Sequence, residues 1–151
     1  MAANTQAVCN SFKVELLDGI HALGTTVIRA GTTKDTFYGA LYLVNQSYGA
    51  GTTAYNATGE VSSANYVAGG AAITNATAPT LDGSTAIWTP SASLAWSNVT
   101  FASFDCLLVY NSTQGNKAVG VYTFGAQSIT AGNFTLTMPA NAAATALLQL
   151  A

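Results

Sequence analysis

One histidine, two cysteines and six carboxylates are the groups with which this chain of 151 residues could do chemistry. His21 stands alone, which removes imidazole-rich metal sites and most acid–base schemes. A nucleophilic triad would set it beside a Ser or Cys and a carboxylate, yet no G-x-S-x-G elbow occurs. His21 is therefore expected to be a surface or half-buried structural residue. The carboxylates Glu15, Asp18, Asp35, Glu60, Asp82 and Asp105 are scattered along the chain. Cleavage of a glycosidic bond needs two of them across one cleft, and no spacing marks such a pair. Asp18 and Asp82 each precede glycine, where a short carboxylate serves a turn. Asp105, between Phe104 and Cys106, is expected to face solvent. The reading is no catalytic, cofactor-binding or metal-ligating residue, and no cofactor.

The remaining motifs have plain explanations. Gly49, Gly51, Gly69 and Gly70 lie in loop or β context with no helix following, so they build no phosphate cradle. Asn-x-Ser/Thr triplets start at Asn45, Asn56, Asn75, Asn98, Asn111 and Asn133. In a chain this rich in Asn and Thr they arise by chance and fit turns and exposed strand faces. Trp88, Trp96 and the tyrosines suit a sugar platform, but core packing accounts for them better. Cys9 and Cys106 are expected to stay free, with Cys106 buried in the apolar run Phe104–Tyr110.

Composition says more than any motif. Charged residues make up 7% of the chain and apolar ones 50%, where a soluble domain usually carries about a quarter charged. The rest is mostly Thr, Ser, Asn, Gln and Gly, a surface that repels little and suits packing against copies of itself or a partner. Net charge is −2. Lys13, Arg29, Lys34 and Lys117 are too dispersed to capture nucleic acid. No apolar run approaches the ~20 residues of a spanning helix, so no membrane partner is expected. The start, MAANTQAVCNSF, lacks the basic and apolar regions of a secretory signal, and synthesis in cytoplasm is expected.

These residues must be positioned by short strands. Residues 12–17 (FKVELL) alternate like a half-buried strand, with a short helix as the other option, and Asp18-Gly19 reads as a turn. Residues 36–44 form a strand rich in aromatic and β-branched side chains, and 46–60 a long loop. Residues 64–74 read as a strand bent at Gly69-Gly70, and residues 81–84 as a turn. Residues 86–89 and 93–96 are short strands split by Pro90. Residues 99–110 and 117–124 are expected to pair as a hairpin around 111–116. Residues 133–138 alternate as another strand, the Ala-rich 140–146 segment suits one helical turn, and 145–150 could close a sheet. The sum is an all-β fold, a single-domain antiparallel β-sandwich or jelly roll. It spans 12–151, with residues 1–11 as an N-terminal arm.

Blocks along nearly the whole chain carry a resemblance. They are FKVELLDGIHAL (12–23), DTFYGALY (35–42), AYNATGEVSSANYVAGG (54–70), PTLDG (79–83), LLVYNSTQGNKAVGVYTFG (107–125) and GNFTLTMPANAAATALLQL (132–150). Together they resemble small virion structural proteins of tailed bacteriophages and prophages. The resemblance implies a virion component without enzyme activity. A capsid decoration or cement protein is expected from this class, on the outer shell, with the major capsid protein and copies of itself (a homodimer or homotrimer) as partners. The alternative is a tail or fibre adhesin that binds a host glycan through Tyr48, Tyr55 or Tyr66. A glycan-cleaving enzyme lacks paired acids.

Overall fold

The computed structural model describes residues 3–17, 19–25, 34–74 and 77–151. Asp18, Arg29 and Asn75, which entered the sequence argument, lie outside them. The architecture is mostly β, in two open antiparallel sheets with one short helix. In chain order the elements are β1 (Ala7–Val8), α1 (Asn10–Leu17), β2 (Phe37–Leu43), β3 (Ala71–Ala72), β4 (Thr80–Asp82), β5 (Thr85–Trp88), β6 (Leu94–Asn111), β7 (Lys117–Leu136) and β8 (Leu148–Leu150). The larger sheet runs β1-β7-β6-β2-β3 and the smaller β4-β5-β8.

The expected hairpin is present and longer than anticipated. β6 and β7 pair from Asn111↔Lys117 at the turn to Leu94↔Leu136 at the far end, so most of the expected strands 93–96 and 133–138, from Leu94 and as far as Leu136, are continuations of this ribbon. Register shifts interrupt the ladder, and Asn98 and Ala131 take positive φ beside them, at 52° and 44°. Each extra residue bends the ribbon and increases its twist. β2 lies between β6 and β3 with both faces covered, which explains its continuous apolar run in place of alternation.

Two strand assignments are corrected. Residues 12–17 are helical, within Asn10–Leu17. Phe12, Glu15 and Leu16 turn inward at helical spacing. The helix stops because Gly19 adopts φ 68° and a paired closure forms: Gly19 N donates to Leu16 O at 3.1 Å and Ile20 N to Glu15 O at 2.9 Å. Those are the two hydrogen bonds of a Schellman cap, so Gly19 is a helix stop. Within 64–74 only Ala71–Ala72 is strand. Gly69 and Gly70 take φ 94° and 80°, and a Cβ on Gly70 would collide with the Gly39 carbonyl of β2.

Residues 81–84 span the end of β4 and a turn at Gly83 leading into β5. Residues 140–146 make a hydrogen-bonded turn, with Ala146 N donating to Ala142 O at 2.8 Å. The last strand joins β5 of the smaller sheet. Residues 3–11 run along the larger sheet: Thr5 N donates to Tyr48 O at 2.8 Å and β1 pairs with Val121 and Gly120. The core lies mainly between the ribbon, β2 and segment 61–73. Trp96, Phe101 and Phe104 of β6 meet Phe134 and Tyr66 there, with Phe101, Phe104 and Phe134 in edge-to-face contacts at 4.9–5.3 Å. Trp88 of the second sheet joins that core beside Phe37, 5.7 Å between ring centroids.

Candidate functional site

Three features of the fold could form a site, and the first gathers groups that titrate. α1 and the hairpin turn bring Glu15, His21, Asp35, Asn111 and Lys117 together, a convergence the sequence did not mark. His21 Nε2 lies 2.7 Å from Glu15 Oε2, and Lys117 Nζ lies 2.9 Å from Glu15 Oε1. Asn111 fixes the rest. Its Oδ1 accepts from Thr113 N and Gln114 N at 3.1 and 3.2 Å, so its Nδ2 must donate to Asp35 Oδ2 at 2.8 Å and to His21 Nδ1 at 2.9 Å. His21 Nδ1 is thereby an acceptor, and the proton sits on Nε2, donated to Glu15. Asp35 also accepts from Ala22 N at 2.8 Å and Gln114 Nε2 at 3.0 Å.

Burial, the largest single influence, works to raise the Glu15 carboxyl's pKa, but the hydrogen bonds from Lys117 and His21 and the charge of Lys117 outweigh it and hold it below its ordinary value. The His21 side chain is 0% exposed, and every polar atom named above has a partner within the protein. No substrate atom reaches the imidazole, so the cluster is a staple. It ties α1, His21, Ala22 and Asp35 to the β6–β7 turn. Two of the six carboxylates do converge, but around a sealed histidine. Asn111, one of the six sequon asparagines, is 0% exposed and is no glycan acceptor.

The second feature is Glu60, whose two oxygens accept from Tyr55 Oη at 2.6 Å, Tyr66 Oη at 2.7 Å and Gly69 N at 2.8 Å. Burial is the largest cause raising the Tyr66 and Tyr55 phenols, with the hydrogen bonds to Glu60 adding to it. Tyr48 Oη donates to Thr58 O at 2.8 Å. Tyr66 is buried, Tyr48 packs at a tilt against Tyr42 with 4.0 Å between centroids, and Tyr55 stacks on Tyr110 at 4.9 Å. Trp88 and Trp96 are buried as well, as the packing reading expected. Beside Tyr48, loop 46–60 encloses an open polar hollow of about 570 Å³ lined by Gln46, Thr52, Asn56 and Thr58 among others. Asp105 is half-buried and accepts from Asn4 Nδ2 at 2.8 Å, where solvent was expected. Asp82 Oδ2 accepts from Ala143 N at 2.7 Å and so holds the chain before β8.

The third feature is the outer half of the ribbon. Gly83 to Phe104 and Ala118 to Ala151 contain no charged residue, so beyond Asp105 both strands are neutral. Their solvent side presents Ser97, Thr100 and Ala102 of β6 and Ser128, Thr130 and Thr135 of β7, all exposed. Past Thr123 no described residue outside β6 bonds to the β7 backbone except Gln127, whose own Nε2 reaches Gly125 O at 3.0 Å. The result is a neutral face beside an open sheet edge.

Among the described residues no group of three or more His, Cys, Asp or Glu is placed to hold a metal ion, and no helix is long and apolar enough to cross a membrane. Cys9 and Cys106 are free and buried. Comparison with protein-family models, with curated proteins and with solved structures gives no match.

Proposed function

We propose that this chain is a virion structural protein of a tailed bacteriophage, a capsid decoration protein that binds the outer shell and stabilises the assembled head. The observation that carries the reading is the charge-free outer half of the ribbon. Small neutral side chains lose little hydration and little side-chain entropy when covered, and no charge must be stripped of water. A protein that binds the assembled shell but not its loose subunits favours assembly by mass action. The partners are the major capsid protein and further copies of this chain, in a dimer or trimer, with no nucleic acid and no membrane involved. The proposal assigns no catalysis, in keeping with the sealed His21. We also infer that the two sheets are the layers of a sandwich, since Trp88 and Leu148 of the smaller sheet enter the core of the larger. Of the two forms expected, sandwich and jelly roll, the strand orders favour the first.

Purified particles test the assignment. Quantitative mass spectrometry and cryo-EM are expected to find copies in numbers that follow the capsomers, with density on the outer shell. A handful of copies at the tail would replace this reading with the adhesin. One observation favours that second reading, the neutral hollow beside Tyr48 with its amides and hydroxyls. It predicts a signal on a glycan array that Asn56→Ala abolishes.

A further inference from the structure

We propose that two copies of this chain pair edge to edge through β7, antiparallel about a two-fold axis at Phe134, so that the outer halves of their ribbons form one sheet. The open stretch is residues 132–136. β6 covers one side of it, no described residue bonds to the backbone on the other, and Ala131, at φ 44°, interrupts the strand just before it. A strand turns successive peptide groups to opposite sides. Met138 N turns toward the β6 side, donating to Ser93 Oγ at 3.2 Å, so Asn133 and Thr135 point their N–H and C=O groups away from the ladder. Pairing about Phe134 sets Asn133 opposite the partner's Thr135, and the two exchange backbone hydrogen bonds on either side of the axis.

The core side of this stretch is unfinished. Leu94 and Trp96 of β6 are buried, yet Leu136 and Phe134, which pair with them, are half-buried. Beside Leu136 a hollow of about 360 Å³ opens, with Phe124 and Met138 also in its wall. A neighbouring strand completes that burial, setting Phe134 against the partner's Phe134 and Leu136 against the partner's Gly132. Two arguments make the neighbour a second copy. The first is length. β1, β3, β4 and β8, which end the two sheets, have two or three residues each. The other flank of the outer ribbon is engaged, by Ser63 at Thr100 N, Asn65 at Asn98 O and Val44 at Ser103 O. Among the described residues only β7 offers an edge to match β7. The second is charge. Open edges are usually guarded by Lys or Pro, but Ala118 to Ala151 hold no charge and 132–136 no proline. Across a two-fold axis a charge approaches its own copy, so an edge that pairs with itself must be neutral, a condition a foreign strand does not impose. The pairing deepens the self-association proposed above and rests on that reading for its place on the particle.

The purified 151-residue chain, free of particles, tests the contact. Sedimentation equilibrium is expected to find a dimer, twice the chain mass of 15.4 kDa. Hydrogen exchange at the Asn133 and Thr135 amides should slow as concentration rises. Thr135→Pro removes an outward N–H that the β6 ladder does not use, and proline is tolerated at such edge positions. It should raise the dimer dissociation constant at least about thirtyfold, since each copy loses one donor, and leave the far-ultraviolet circular dichroism unchanged. Thr135→Lys serves if the proline variant does not fold. It sets two like charges beside the axis, and molar salt should partly restore the dimer it weakens. A monomer at every concentration, a trimer, or a dimer that these variants leave intact overturns the pairing. So does a monomer whose occupancy on phage particles falls with Thr135→Pro, which assigns the edge to the shell protein. A solution dimer formed by a chain absent from the particles upholds the pairing, while the virion reading falls.

Discussion

Asn111 holds the buried cluster in one protonation pattern, because both ends of its amide are committed. Asn111→Ala removes the acceptor of two backbone N–H groups and a donor to both Asp35 and His21. It is expected to cost about 2–4 kcal/mol, read as a lower urea midpoint, and ¹⁵N spectra of the wild type should show His21 protonated at Nε2. Glu15 gives the cluster a pH signature. Its folded pKa lies below the unfolded value of about 4.3. Its contribution is therefore complete above pH ~4.3 and is lost as pH falls through the depressed folded value. Urea midpoints measured between about pH 2 and 6 should decline on the acid side, and Glu15→Gln should flatten that part of the curve while lowering the plateau. The thiols behave as small hydrophobes. Burial, with smaller contributions from Glu15 and Asp105, pushes Cys9 up to about 11 and Cys106 up to about 12. Little thiolate exists at pH 8, so the native protein should react slowly with a thiol reagent and release two equivalents in denaturant. Rapid native labelling, or a Cys9–Cys106 crosslink on mapping, would contradict this.

Elements are set by where the backbone must turn, and glycine at two sites separates fold-defining turns from permissive ones. Gly70 has φ 80° and sits against the Gly39 carbonyl, whereas Gly83 has φ 63° with nothing within 4 Å of a built Cβ. Gly70→Ala is expected to cost at least about 3 kcal/mol, since the strained φ and the collision add. That lowers Tm by roughly 10 °C in a domain of this size, while Gly83→Ala should cost about 1 kcal/mol. Equal losses would mean that β3 does not dock on β2 as described. The same glycines show what was legible in the sequence. The β6–β7 hairpin could be read because β-rich runs flank a short loop with Gly115, a local signal. β2 could be read from its apolar run. For residues 12–17 the sequence favours strand and leaves helix as the other option, because FKVELL satisfies both periods, and the cap that decides between them depends on hydrogen bonds from Gly19 and Ile20 rather than on composition. The Glu15–His21–Asn111–Asp35 cluster could not be read at all. Its members come from separate segments, and only the docking of α1 against the hairpin turn brings them together.

At the scale of the whole molecule, the distribution of charge decides how attachment to a shell would work. The ten charged residues are few, and those described are engaged within the protein at several points: Lys117 with Glu15, Glu60 with tyrosines, Asp105 with Asn4, Asp82 with Ala143 N. The outer ribbon has none to offer. Attraction between exposed charges weakens as salt shortens the screening length from about 10 Å at 0.1 M to about 3 Å at 1 M. Burial of neutral surface is indifferent to that change and contributes roughly 25 cal/mol per Å² of apolar area. Particles washed in molar NaCl should therefore keep this protein. Urea, which solvates apolar and peptide groups alike, should strip it below the concentration that dissolves the shell. Placing charge on the neutral face sharpens the test. Thr130→Lys alters an exposed residue of β7, with a stability change expected within about 0.5 kcal/mol, so it should leave folding intact while reducing occupancy on the particle. If molar NaCl alone releases most copies, or Thr130→Lys particles retain full occupancy, the contact is electrostatic or lies elsewhere on the molecule, and the ribbon is not the surface that meets the shell.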